Sequence, residues 1–167
     1  MASTSTTRQA LGAIGQVALG AALLTAGTGH LTKQREEFQA QVPEWFPADP
    51  DSVVVVSGVV ELALGAALVA TWKRAVVGTA AAAFFVAVFP GNIGQYTGRV
   101  DAFGLDTDTK RAVRLVFQPV LVAWALASTD AVQVCRARRA HARSLPRTAD
   151  VARGWPKRHE RPDPATG

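Results

Sequence analysis

Residues 52–72 read SVVVVSGVVELALGAALVATW, an apolar run whose single charge, Glu61, sits near its middle. At 1.5 Å rise per residue, roughly 20 such residues cross the hydrocarbon core of a bilayer. A charge at the centre of a spanning helix costs about 3 kcal/mol on insertion scales. Such a residue normally faces a partner, a cavity or a substrate path. The run therefore points to a fold made of membrane helices and marks Glu61 as the place to look for function.

Three more runs share its character. Residues 9–29 read QALGAIGQVALGAALLTAGTG, residues 75–89 read AVVGTAAAAFFVAVF and end at Pro90, and residues 112–128 read AVRLVFQPVLVAWALAS. A soluble bundle would show apolar stripes opposite charged faces. These runs are apolar all round, as membrane spans are. The third is short unless its helix continues, kinked, through Pro90 into GNIGQY; neighbouring helices make such kinks tolerable, and the same holds for Pro119 in the fourth. The expected fold is all-α, a four-transmembrane-helix bundle over residues 9–130. A short N-terminal tail (1–8) precedes it and a basic C-terminal tail (131–167) follows. The mean hydropathy of only +0.13 averages these two regimes. From 136 onward the tail is rich in Arg and Pro and poor in apolar residues, which predicts disorder. The first run is long for a cleaved signal and its lead holds one Arg, so it is expected to stay as a span.

Charge bias orients the bundle. Arg8, the Lys73–Arg74 pair and the Arg-rich tail fall on one side. The other two connections carry the acids Glu36, Glu37, Glu44, Asp49, Asp51, Asp101, Asp106 and Asp108. Both termini are thus expected to be cytoplasmic. The tail's basic charge suits topology and anionic lipid; without a motif, nucleic acid is not an expected partner. The one cysteine, Cys135, can form neither an internal disulfide nor a dithiol pair. No HxxxH or ExxH pair suggests a metal site, and none is expected.

Polar residues gather at one depth. His30 closes the first span, and Asn92 and Gln95 follow Pro90. Arg114 and Gln118 lie one turn apart on one face with Arg111. Glu61 lies nine residues into its run, roughly 14 Å at helical rise. Apart from Gln16, the opposite half of the bundle holds few strongly polar side chains. Depth favours Gln118 over Arg114 as the direct partner of Glu61. Each residue also has a bland reading. Glu61 can be neutral and bonded to a neighbouring helix, Arg114 can snorkel to headgroups, His30 can be interfacial, and Asn92 can satisfy backbone freed by Pro90. The first connection, with Phe38, Trp45 and Phe46 among prolines, suits either an interfacial aromatic belt or a lid over the bundle mouth.

Five phrases in order, AGTGHLT, VPEWFP, VSGVVELALGAALV, VFPGNIGQY and RLVFQPVLVAWAL, cover residues 26–126. Together they resemble the DoxX-like family of small bacterial membrane proteins, with Gly91 where that family usually has Ala. The resemblance implies a four-helix membrane bundle whose recurring polar positions fall on His30, Glu61, Asn92, Arg114 and Gln118. It also implies a redox setting: some members resemble the membrane subunit of a thiosulfate:quinone oxidoreductase, and others work with a soluble partner that carries the chemistry. Three readings follow. In the first, the chain is a subunit of a membrane oxidoreductase, with no covalently bound cofactor. A quinone enters the half of the bundle near His30, Glu61 exchanges protons, and Arg114 with Gln118 holds a carbonyl or anionic oxygen. In the second, the chain is a non-enzymatic binder or carrier of a small hydrophobic molecule. In the third, it is a scaffold recruiting a soluble partner. The bilayer, a soluble oxidoreductase and further copies of the chain are the partners these readings admit.

Overall fold

The computed structural model describes residues 2–70 and 73–144. Among them the chain is all helix: α1 (Ala2–Leu31), α2 (Arg35–Gln39), α3 (Pro50–Val69), α4 (Arg74–Thr97), α5 (Asp108–Ser128) and α6 (Ala131–Ser144). Four helices are long and apolar enough to cross a membrane, namely α1 from Thr6 onward, α3, α4 and α5. This is a four-helix bundle of multi-pass membrane character.

Local chemistry explains the helix ends. Asp49 caps α3, its carboxylate accepting from the Ser52 N–H at 2.9 Å, and Pro50 opens the helix where its missing N–H costs nothing. Thr107 caps α5 in the same way, accepting from the Lys110 N–H at 3.3 Å. Lys73 takes a left-handed φ of 39° as the chain re-enters α4. Pro90 lies inside α4, which continues to Thr97 as a full-length span requires.

Three boundaries differ from expectation. Residues 2–8 are not a separate tail but the first turns of α1; no Gly or Pro interrupts them. The second run stops being helical at Val69, short of 72, and residues 71 and 72 lie outside the described part. The tail, expected to be disordered from 136, is helical as far as Ser144. The segment AVQVCRARRAHARS holds no Gly or Pro and is dominated by Ala and Arg, both strong helix formers. The remainder of the tail lies outside the described residues. Residues Met1–Val134 form one compact unit and a second begins at Cys135.

Within the first unit, α1 packs along α3 and α4 along α5, whereas α3 and α4 touch each other little. The burial pattern is inverted relative to a soluble protein. Leu11, Ile14, Val56, Val59, Val86 and Val116 point outward, while Gln16, Glu61, Asn92, Gln95 and Gln118 are buried. An apolar exterior, with the polar side chains turned into an otherwise apolar core, is what a bilayer demands, because unpaired polar groups have no water there.

The α1–α3 contact is built on glycine. A Cβ on Gly20 would come within 2.9 Å of the Gly65 carbonyl, and one on Gly27 within 2.7 Å of the Gly58 carbonyl. Small residues permit such backbone approach, the main source of helix affinity in lipid. At the end where α3 turns into α4, Arg74 joins the bundle. Its Nε donates to Gln16 Oε1 at 2.5 Å and its Nη2 to the Ser128 carbonyl at 3.0 Å. Gln16 Nε2 in turn donates to the Leu68 carbonyl at 2.8 Å. One cation and one amide thus satisfy last-turn carbonyls of two helices, groups that lack partners within their own helix.

Candidate functional site

The opposite end of the bundle, nearer the 32–49 and 98–107 connections, contains a cavity of about 380 Å³. Its wall includes His30 from α1, Glu61 from α3, Asn92 from α4, and Arg114 and Gln118 from α5. The five residues singled out from the sequence are therefore brought together. Leu19, Leu23, Phe85, Val88 and Leu121 supply much of the remaining wall and make it apolar.

The partner of Glu61 is His30, not Gln118 as depth alone suggested. His30 Nε2 lies 3.4 Å from Glu61 Oε2. The cause is the glycine packing: a Cβ on Gly58 would stand 2.7 Å from His30 Cβ, so the end of α1 is pressed onto the Glu61 side of α3. The other ring nitrogen, Nδ1, faces the Val54 carbonyl at 3.2 Å and Ser57 Oγ at 2.9 Å. A proton on Nδ1 suits the carbonyl, which only accepts, while Ser57 Oγ can serve either tautomer. With Nδ1 protonated, Nε2 is an acceptor in the neutral ring and a donor in the charged one. The pair consequently has two electrostatically matched arrangements, neutral acid beside neutral ring or carboxylate beside imidazolium, differing by the place of one proton. Glu61 Oε2 is buried and makes no hydrogen bond among the described residues.

Gln118 is engaged elsewhere. Its Nε2 donates to the Phe85 carbonyl at 2.6 Å and its Oε1 accepts from Asn92 Nδ2 at 3.1 Å. Asn92 takes up the polar cluster rather than its bland alternative at Pro90: its Oδ1 accepts from Arg114 Nε at 3.0 Å. Arg114 Nη2 donates to Gln41 Oε1 at 3.2 Å, and its guanidinium lies 5.1 Å from the centre of the Phe103 ring. Arg114 does not snorkel away. It is a half-buried cation held by neutral oxygens and an aromatic face, and it points into the cavity. Arg111, on the same face by spacing, is bound instead to Asp108 in the first turn of α5 and to Asp101 in the adjoining connection.

The first connection serves as the lid that one reading of its aromatics allowed. Phe38 stacks on His30 with ring centroids 3.4 Å apart and meets Phe103 at 4.6 Å. Gln41 Nε2 donates to Gln95 Oε1 at 2.9 Å, and Glu37 accepts from the Phe103 N–H at 2.5 Å. Further along, Trp45 and Phe46 are exposed, at 69% and 41%, as belt residues would be. Phe103 holds a left-handed φ of 56°. That conformation costs a bulky residue about 1–3 kcal/mol and is tolerated where surrounding contacts impose it. Gln41 and Phe103 escaped sequence reasoning, since neither lies in a span or a motif. Gln95 was legible as a polar residue one turn beyond Asn92.

Among the described residues, no cluster of three His, Cys, Asp or Glu side chains is placed to hold a metal ion. The ring of donors fits a small oxygenated organic head: an acid and imidazole on one side, a cation on the other, apolar walls between. Its volume falls in the range of small-molecule pockets.

No curated protein sequence matches the chain. No solved structure matches it. The model of a family described as a domain of unknown function, DUF8561, matches residues 19–129, which hold the four spans from Leu19 onward and all five cavity residues. The chain belongs to the DUF8561 family.

Proposed function

We propose that this chain is a redox-associated subunit of a bacterial inner-membrane complex, with both termini cytoplasmic, and that its cavity receives the head of a quinone. The observation that carries this reading is that the Glu61–His30 pair and a cation, Arg114, line one cavity together, with no ion pair between Glu61 and Arg114 among the described residues. A quinone becomes a quinol by taking two electrons and two protons. The electrons would come from a soluble oxidoreductase partner, as in the DoxX-like proteins the chain resembles. The Glu61–His30 pair would deliver the two protons one at a time, taking a replacement from bulk water after the first. Arg114 suits a carbonyl oxygen that gains negative charge during reduction.

Binding of a short-chain benzoquinone to the purified protein in lipid nanodiscs tests the reading. A charge-assisted hydrogen bond contributes about 1.5–3 kcal/mol, so Arg114→Gln should weaken binding by about tenfold or more. Glu61→Gln should leave binding within a few fold while abolishing quinone reduction once the electron donor is supplied. Equal binding by wild type and Arg114→Gln would remove the cation from the site and sink the proposal. Saturable binding of quinone and of redox-inert analogues alike, with no turnover by any donor, would favour the carrier reading instead.

A further inference from the structure

Beside the large cavity lies a smaller one of about 180 Å³. It sits between α3, at Val53 and Ser57, and α4, at Ala87 and Gly91, beneath the 41–46 stretch of the first connection. This is a seam where the bundle closes poorly: α3 touches α4 far less than it touches α1. His30, Phe38, Gln41 and Val88 line both cavities. A single layer of side chains therefore divides them; His30 and Gln41 within it are hydrogen-bonded, whereas Phe38 and Val88 are held by packing alone. On the outer side Ala87 and Trp45 are exposed, and Trp45 lines the smaller cavity.

A second apolar groove, of about 270 Å³, lies on α4 and α5 at Val86, Phe89, Pro119 and Val122. It also reaches the large cavity's wall, but there the wall is bonded shut. Gln118 is tied to the Phe85 carbonyl at 2.6 Å and to Asn92 at 3.1 Å. Opening that route would strand buried polar groups, which costs far more than moving a phenyl ring.

We propose that the α3–α4 seam is a lateral window to the lipid, and that it takes the hydrocarbon chain of an amphiphile whose oxygenated head occupies the large cavity. This deepens the quinone reading and rests on it, naming the ligand class as chain-bearing rather than a free head. Lipid is as apolar as the seam, so the chain gains nothing by transfer into it. The window matters sterically: a head with a chain attached can seat only if the chain has a way out.

The test compares a dimethoxy-methyl-benzoquinone lacking a chain with its decyl homologue, both titrated against full-length protein in lipid nanodiscs. Comparing variants at one lipid composition cancels partitioning of the ligand. Ala87→Trp adds bulk at an exposed position and fills the window from outside. It should weaken the decyl homologue at least about tenfold and leave the chainless head within about twofold. Val86→Trp, which fills the α4–α5 groove, should alter neither. Unchanged binding of both ligands to Ala87→Trp overturns the window while leaving the quinone reading intact. Selective loss of the decyl homologue in Val86→Trp overturns it in favour of the other groove. If Ala87→Trp weakens both ligands equally, Val53→Trp on the facing wall decides: selective loss of the decyl homologue supports the window, and equal loss overturns it. Failure of both quinones to bind wild type removes the quinone reading, and the window with it.

Discussion

Two glycines on α3 and α1 should respond to alanine with opposite signs. A Cβ on Gly65 would meet the Gly20 carbonyl at 2.8 Å, Leu24 Cγ at 2.9 Å and the Leu24 amide nitrogen at 3.0 Å. Two of these are backbone atoms, so the helices must separate. Overpacking of this kind costs about 1–3 kcal/mol. Replacing a mid-helix glycine by alanine recovers at most about 1 kcal/mol of helix propensity. Because backbone cannot turn aside, the collision belongs in the upper part of its range, and Gly65→Ala should lose about 1–2 kcal/mol net. On Gly12 the nearest atoms to a Cβ are Arg74 Nη2 and the Ser128 carbonyl oxygen, both at 3.5 Å, which is ordinary contact. Gly12→Ala should therefore keep the propensity gain of up to about 1 kcal/mol. For a chain of this size 1 kcal/mol moves Tm by roughly 2–4 °C. Thermal melts in one detergent should show Gly65→Ala lower by about 2–8 °C and Gly12→Ala level or higher by up to about 4 °C. Shifts of the same sign, or a rise for Gly65→Ala, would refute glycine-mediated backbone contact as the basis of the α1–α3 pair.

Further consequences are open to measurement. Arg74→Ala strands Gln16 Oε1 and the Ser128 carbonyl together, and should cost about 1–3 kcal/mol, read as a lower melting temperature with quinone binding retained. Glu61→Gln removes a buried oxygen that makes no hydrogen bond, so its melting temperature should fall little or even rise; a large fall would return Glu61 to a purely structural role. Gln41→Ala breaks the lid's bonds to Gln95 and Arg114, and amide exchange over residues 35–43 should quicken while exchange in α1 and α3 stays slow. Cys135 is exposed, so in intact cells a membrane-impermeant maleimide should label it only after lysis; labelling from outside would reverse the proposed topology.

Much of this arrangement was open to sequence reasoning because lipid leaves the chain few choices. An all-round apolar run must be a spanning helix, and its exceptions must face inward. That rule alone selected Glu61, Asn92, Arg114 and Gln118. It failed where contacts depend on how helices cross. The Glu61–His30 pair is set by close approach at Gly27 and Gly58, a distance that no residue count along the axis contains. The rule also misjudged the other end, where Gln16 looked like an exception and Arg74 like a loop charge, yet the two bond directly. Gln41 and Phe103 lie in connections, where no periodicity reports a side chain's direction. The helical start of the tail was missed for a different reason: net charge was weighed above the absence of helix breakers in residues 131–144.

The separation of charge in the cavity bears on what the site is for. A buried ion pair gains most when its members touch, and a lone buried charge is costly. Glu61 and Arg114 line one cavity and yet do not meet; each is served by neutral or titratable neighbours instead. His30 faces the acid, and Asn92, Gln41 and the Phe103 ring serve the cation. Had helix cohesion been the only demand, a direct pair, or apolar side chains in place of both, would satisfy it at lower cost. The amides that hold Arg114 in place also keep it from collapsing onto the acid. What this geometry leaves between them is a gap with a cation on one side, a proton site on the other and hydrocarbon around it. Under the proposed function, such a gap suits a third molecule that completes the interaction, and its polarity sets which end of that molecule enters first.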